Sequence, residues 1–104
     1  MPTARLETLK TLVAQDPKNS FLRYGLAMEY RNGGDMEAAM REFRSLIADN
    51  ADYVPAYFHG GQTLERMAQV EEARAFYQSG IEASLRTGDA HARSELEGAL
   101  SMLG

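Results

Sequence analysis

A chain that repeats itself at a fixed interval commits most of its residues to one unit and to the way that unit meets its copies. Here Gly33 to Phe43 reads GGDMEAAMREF, and 34 residues later Met67 to Tyr77 reads MAQVEEARAFY. Ala39 is answered by Ala73 and Phe43 by Tyr77. The same interval of 34 links Leu9 to Phe43 and Val13 to Ile47 and then Ile81. A short unit with one apolar face cannot bury that face alone, so such units stack.

The spacing within each unit is helical. Leu6, Leu9, Leu12 and Val13 share one face of a first helix, with Thr3 as its N-cap. Asp16-Pro17 stops it, because proline disfavours helical geometry in the residue before it. A second helix from about Ser20 to Arg31 carries Leu22, Leu26, Ala27 and Tyr30, and Asn32-Gly33-Gly34 ends it. Asp35 is placed to cap a third, over 36–49, bearing Ala39, Met40, Phe43, Leu46 and Ile47. Pro55 falls in the first turn of a fourth, where its missing N–H costs least. The fifth runs from about Val70 to Arg86, and Asp89 caps a sixth with Leu96, Ala99, Leu100 and Leu103. No segment alternates with β-branched residues, so no strand is expected. Short connections between antiparallel helices make helical hairpins.

Composition narrows the class of function. A chain of 104 residues with 44% apolar and 25% charged residues is sized for one folded domain. There is no cysteine, which excludes disulfides, thiol catalysis and thiolate metal sites and suits a reducing, cytoplasmic compartment. Arg5, Glu7 and Lys10 interrupt the N-terminus, so no leader is read there, and no apolar run reaches the length of a membrane span. The net charge of −4 gives no broad attraction to nucleic acid or anionic lipid, so neither is expected as a partner.

The slots of the period identify a resemblance. The tetratricopeptide repeat is a 34-residue helix–turn–helix unit of pattern W-x2-L-G-x2-Y…A-x3-F…P. Arg23, Leu26, Ala27, Tyr30, Ala39, Phe43 and Ala51 fill those slots in one copy; Tyr57, Gly60, Gly61, Leu64, Ala73, Tyr77 and Leu85 fill them in the next. The resemblance implies an all-α, right-handed α-α superhelix of stacked antiparallel helix pairs, about six helices in one domain. Its expected parts are a half repeat over 1–18, full repeats over 20–53 and 54–87, and a capping helix over 88–104. The chain departs from the pattern in four ways, the first being that the closing proline is lost from both copies, where Ala51 and Leu85 stand. Arg23 stands where an aromatic is usual, with Leu22 expected to take over its packing. Ala68-Gln69 replaces a Gly-Asp turn, so a looser second turn is expected. Gly60-Gly61 sits inside a helix, either giving room to large neighbours such as Tyr53 and Tyr57 or admitting a ligand backbone.

In this family the first helix of each hairpin lines a concave groove that holds an extended or helical peptide. Carried onto this chain, the outward positions are Tyr24, Met28, Phe58, His59, Gln62 and Arg66, with Arg93 closing the far wall. Tyr24, Met28 and Phe58 read as apolar side chains without an intramolecular partner, unless a terminal helix folds over them. The implied function is non-catalytic protein–protein interaction, as a small adaptor binding a peptide or helix of another protein. The alternative is a structural module that homodimerises through the same residues. Some relatives clamp the C-terminal carboxylate of chaperone tails with Lys and Asn; Gly25, Met28 and His59 stand at those positions here, which disfavours that ligand. An apolar or mixed segment, with an acidic residue for Arg66 or Arg93, suits the groove better.

The residues argue against catalysis, a metal and a cofactor. His59 and His91 lie on different helices with no second histidine at ligand spacing. Ser94 and Glu95 are near His91 but are read as pointing away from it, so no triad forms. Glu71-Glu72 and Glu95/Glu97 read as solvated helix faces, and neither glycine pair has the spacing or lysine of a phosphate loop.

Overall fold

Six helices account for most of residues 3–104, the part of the chain that this computed structural model describes: α1 (Ala4–Gln15), α2 (Ser20–Asn32), α3 (Met36–Asp49), α4 (Val54–Arg66), α5 (Val70–Thr87) and α6 (Ala90–Met102). There is no strand among those residues. No helix is long and apolar enough to cross a membrane. The first two residues of the expected half repeat over 1–18 lie outside the described part.

Local chemistry sets the helix starts. The side-chain oxygens of Thr3, Asn19, Asp35 and Asp89 accept the backbone N–H of Leu6, Leu22, Ala38 and Ala92 at 3.0–3.1 Å. Each satisfies one of the four N–H groups that a helix start leaves free. α4 has no side-chain cap and starts instead with Pro55 in its first turn.

The three hairpin turns on the C-terminal side of α2, α4 and α5 are alike. Asp35 N–H donates to Tyr30 O, Gln69 N–H to Leu64 O and Asp89 N–H to Ser84 O, each at 2.9 Å. This long-range bond needs one left-handed residue just before the donor. Gly34 (φ +90°) and Gly88 (φ +72°) supply it in two turns, and Ala68 (φ +60°) in the other. The expected loosening of the Ala68-Gln69 turn is therefore corrected: the turn closes as tightly as its neighbours, and Ala68 adopts a backbone conformation disfavoured for a residue with a Cβ.

Sequential helices pack as antiparallel neighbours, and the two sides of the stack differ. α2 approaches α4, and α4 approaches α6, whereas no two of α1, α3 and α5 come within 8 Å between Cα atoms. The layer formed by α2, α4 and α6 is therefore the more closely packed, inner one. The repeat slots hold the centre: Ala39, Phe43, Ala73 and Tyr77 are all fully buried. The small residues let helix axes approach, and the rings fill the space between hairpins.

Gly60, Gly61 and Gly80 show how close that approach is. A Cβ on Gly60 would stand 2.6 Å from Phe76 Cε2, and one on Gly61 would collide with the Tyr77 ring. In return, a Cβ on Gly80 of α5 would stand 2.6 Å from Tyr57 Cβ of α4. Room for large neighbours is thus the use of the pair Gly60-Gly61, but the neighbours are Phe76 and Tyr77, not Tyr53 and Tyr57.

Arg23 also differs from expectation. Its Nη1 donates to Glu42 Oε1 at 2.7 Å and its Nη2 to Pro17 O at 3.1 Å. Both side chains of the ion pair are about 15% exposed, at 16% and 15%. A nearly buried α2–α3 ion pair therefore occupies the usual aromatic slot, while Leu22 is only half-buried and lines a cleft toward α1.

Candidate functional site

Tyr24 on α2 and Phe58 and His59 on α4 project into the inner layer because they lie opposite the faces that carry Leu26 and Leu64 into the core. They are half-buried and have neighbours within the chain. The Tyr24 ring centroid lies 5.5 Å from Tyr53, 5.8 Å from His59 and 6.5 Å from Phe43. Phe58 lies 5.3 Å from His59, edge to face, and 6.4 Å from Tyr77. The expectation that Tyr24, Met28 and Phe58 lack intramolecular partners is corrected: all three pack against the core cluster. Their outer edges remain open, because α6 stands beside α4 without closing over α2.

Three open clefts divide the predicted residues. One, of about 310 Å3, is walled by Tyr24, Phe58, His59, His91, Ala92 and Leu96. A second, of about 380 Å3, adjoins it across Phe58 and is walled by Gln62, Tyr77, Glu95, Ala99 and Met102. Met28 faces a third, of about 300 Å3, between α1 and α2, shared with Leu9, Phe21, Leu22 and Tyr24. Phe21 at the edge of that third cleft is 71% exposed, and it was missed because it falls outside the repeat slots. Arg66 and Arg93 are exposed and wall none of the three; Arg93 Nε reaches Glu97 Oε2 at 3.3 Å on its own helix.

Polar groups converge at the middle of the inner layer. Arg31, in the last turn of α2, directs Nη1 to His59 Nδ1 at 3.2 Å and Nη2 to Gln62 Oε1 at 3.3 Å. An arginine only donates, so His59 Nδ1 is the acceptor and the imidazole proton sits on Nε2. Burial and then the Arg31 charge hold the His59 pKa below its ordinary value, against the opposing pull of Glu95. His59 is therefore neutral at pH 7. Arg31 was not among the predicted residues. Extending the Tyr24–Met28 stripe by one further turn, at i+3 from Met28, would have found it.

Beside this, Tyr77 donates its hydroxyl to Glu65, tying α5 to α4 beneath the second cleft. Burial and that bond push the Tyr77 phenol far above its usual range. His91 is exposed, but its pairing differs from expectation: Nε2 lies 3.6 Å from Glu95 Oε1, since residues four apart share a helix face. Among the described residues no three His, Asp or Glu side chains converge as metal ligands would.

No protein-family model matches the chain. It is similar to a tetratricopeptide repeat domain protein from Salinibacter ruber, 33% identical, with 85% of this chain and 89% of that one covered at a TM-score of 0.80. It is 24% identical over 91 residues to a TPR repeat-containing protein of Pseudomonas aeruginosa, covering 88% of this chain and 87% of that protein. The first TPR domain of Spaghetti, solved bound to an HSP90 peptide, shares the fold at a TM-score of 0.80 and 20% identity, over 94% of this chain and 73% of that one.

Proposed function

The chain belongs to the tetratricopeptide repeat family, and from that membership we propose that it is a non-catalytic scaffold that holds a peptide or helix of a partner protein in the concave groove of α2, α4 and α6. On this reading residues 20–53 and 54–87 are full repeats, 88–104 the closing helix and 1–18 a half repeat. The observation that carries it is the pair of adjoining clefts either side of Phe58, walled by Tyr24, His59, Gln62 and the open face of α6. Rigid aromatic side chains that are half-buried in the free protein lose little entropy when a partner covers them. The Spaghetti domain supports the reading by its ligand, since it is solved with a peptide. The chaperone-tail clamp does not carry over, because Gly25, Met28 and His59 supply none of its donors. A cytoplasmic site of action accords with a chain that has no cysteine to oxidise.

The test is affinity capture with the native protein and with a Tyr24→Ala/Phe58→Ala variant shown by circular dichroism to fold. Truncating two central aromatics should weaken capture of a true groove partner by about thirtyfold or more. Equal capture by both forms refutes the assignment of these residues. A mass that rises with concentration in light scattering, and stays monomeric for the variant, would replace the partner by a second copy.

A further inference from the structure

The basic side chains of this acidic chain are mostly neutralised within it. Arg5, Arg23, Arg44, Arg74, Arg86 and Arg93 each stand within salt-bridge distance of a carboxylate. Arg41, on the outer helix α3, has no such partner among the described residues, and neither do Arg31 and Arg66. The latter two lie in the last turns of inner-layer helices, α2 and α4. Arg31 is the more unusual of the two. It is half-buried, its only side-chain partners among the described residues are the neutral His59 and Gln62, and its Nε is buried without a hydrogen bond to any of those residues. Arg66 stands one turn beyond Gln62 on α4, and Gln62 accepts from Arg31, so the two cations face one region; burial and then the Arg66 charge pull the Arg31 pKa down.

A partly desolvated guanidinium with unused donors and a second cation beside it is costly on its own and strongly attractive to a carboxylate. Resting on the groove reading above, we infer that Arg31 and Arg66 form an acidic-residue subsite that takes the Asp or Glu side chain of the bound segment. The position of the subsite fixes its spacing. Phe58, Gln62 and Arg66 form one stripe of α4, and the step of eight positions from Phe58 to Arg66 spans about 12 Å of helix axis. An extended segment advances about 3.3 Å per residue. Its acidic side chain therefore lies about three to four positions from the apolar side chain that enters the cleft beside Phe58. Asp89 and Glu95, the carboxylates among the groups facing this cleft end, stand there with His59 and His91. Asp89 and Glu95 repel a carboxylate there and fix the direction in which the segment lies.

The probe is a library of randomised dodecapeptides displayed with both ends joined to the carrier, so that no terminal carboxylate is present. Wild-type protein should enrich sequences with Asp or Glu about three to four residues from an aromatic or aliphatic residue. Arg66→Gln, at an exposed position, and Arg31→Gln/Arg66→Gln should each lose the acidic preference and bind the leading peptide about tenfold more weakly. Replacing the peptide's acid by its amide should cost the wild type the same factor and the arginine variants nothing further. Enrichment without an acidic residue, or an acidic preference that survives in both variants, overturns the subsite while leaving the groove standing. Enrichment no greater than that of Tyr24→Ala/Phe58→Ala overturns the groove itself. Acidic enrichment seen only in a parallel library with free C-termini would assign the arginines to a chain terminus and overturn the side-chain assignment.

Discussion

Ala68→Gly should stabilise this protein, although it removes a methyl group and makes no new contact. Ala68 is held at φ +60° because the next residue, Gln69, must reach back to Leu64 O at 2.9 Å. Left-handed backbone costs an L-residue about 1–2 kcal/mol, and glycine escapes that cost. Glycine gives back about 0.5–1 kcal/mol through its freer unfolded chain. Ala68 is exposed, so little packing is lost. The difference is a net gain of about 0.5–1 kcal/mol. Gly34 holds the equivalent place in the preceding turn at φ +90°, with nothing within 4 Å of an added Cβ. Gly34→Ala should therefore cost about the same amount by backbone strain alone. Urea unfolding followed by circular dichroism reads both changes as opposite shifts of the midpoint at constant slope. In thermal unfolding, Ala68→Gly should raise Tm by about 3–6 °C for a domain of this size. A neutral or destabilising Ala68→Gly, alongside a costly Gly34→Ala, would show that Ala68 does not carry the strain.

Two further outcomes are expected. Arg23→Met alone leaves Glu42 nearly buried without its cation and should cost about 3 kcal/mol in chemical denaturation, whereas Arg23→Met/Glu42→Leu should recover most of that loss; a double variant no better than the single would refute the ion-pair reading. His59 has a folded pKa below its unfolded one, so acidification below about pH 6.5 favours the proton-binding unfolded state until the folded pKa is passed. The stability of the native protein should fall with pH in that window more steeply than that of His59→Gln, and parallel curves for the two proteins would remove His59 from the pH response.

Much of the fold is legible because its determinants are local or periodic. Thr3, Asp35 and Asp89 cap helices by bonds to residues three positions on, which any reader of the chain can place. Ala39, Phe43, Ala73 and Tyr77 repeat because each hairpin meets the next in the same way. What escaped depends on tertiary neighbours. The occupants of the Gly60-Gly61 space stand on the following helix, so identity along α4 alone names the room and not its tenants. Arg31 gains its place from His59 and Gln62, 28 and 31 residues away. The Ala68 turn takes its shape from the bond it closes rather than from its residue type. The His91–Glu95 pair is a different kind of miss: its spacing of four was in plain view.

The exchange between α4 and α5, in which each helix offers glycine space to the other's aromatics, acts as a two-way key for axial alignment. Shifting α5 along α4 by one residue would drive Phe76 or Tyr77 against a position that bears a side chain, and at the same time pull Tyr57 out of the gap at Gly80. Sliding is thus opposed in both directions, whereas simple ridge packing tolerates adjustment. The wall of the groove that carries Phe58 and Gln62 is backed by this keyed pair, so it arrives already shaped. A partner docking there would spend little of its interaction energy on ordering that wall, and adaptation to different partners would fall to α2 and α6 on either side.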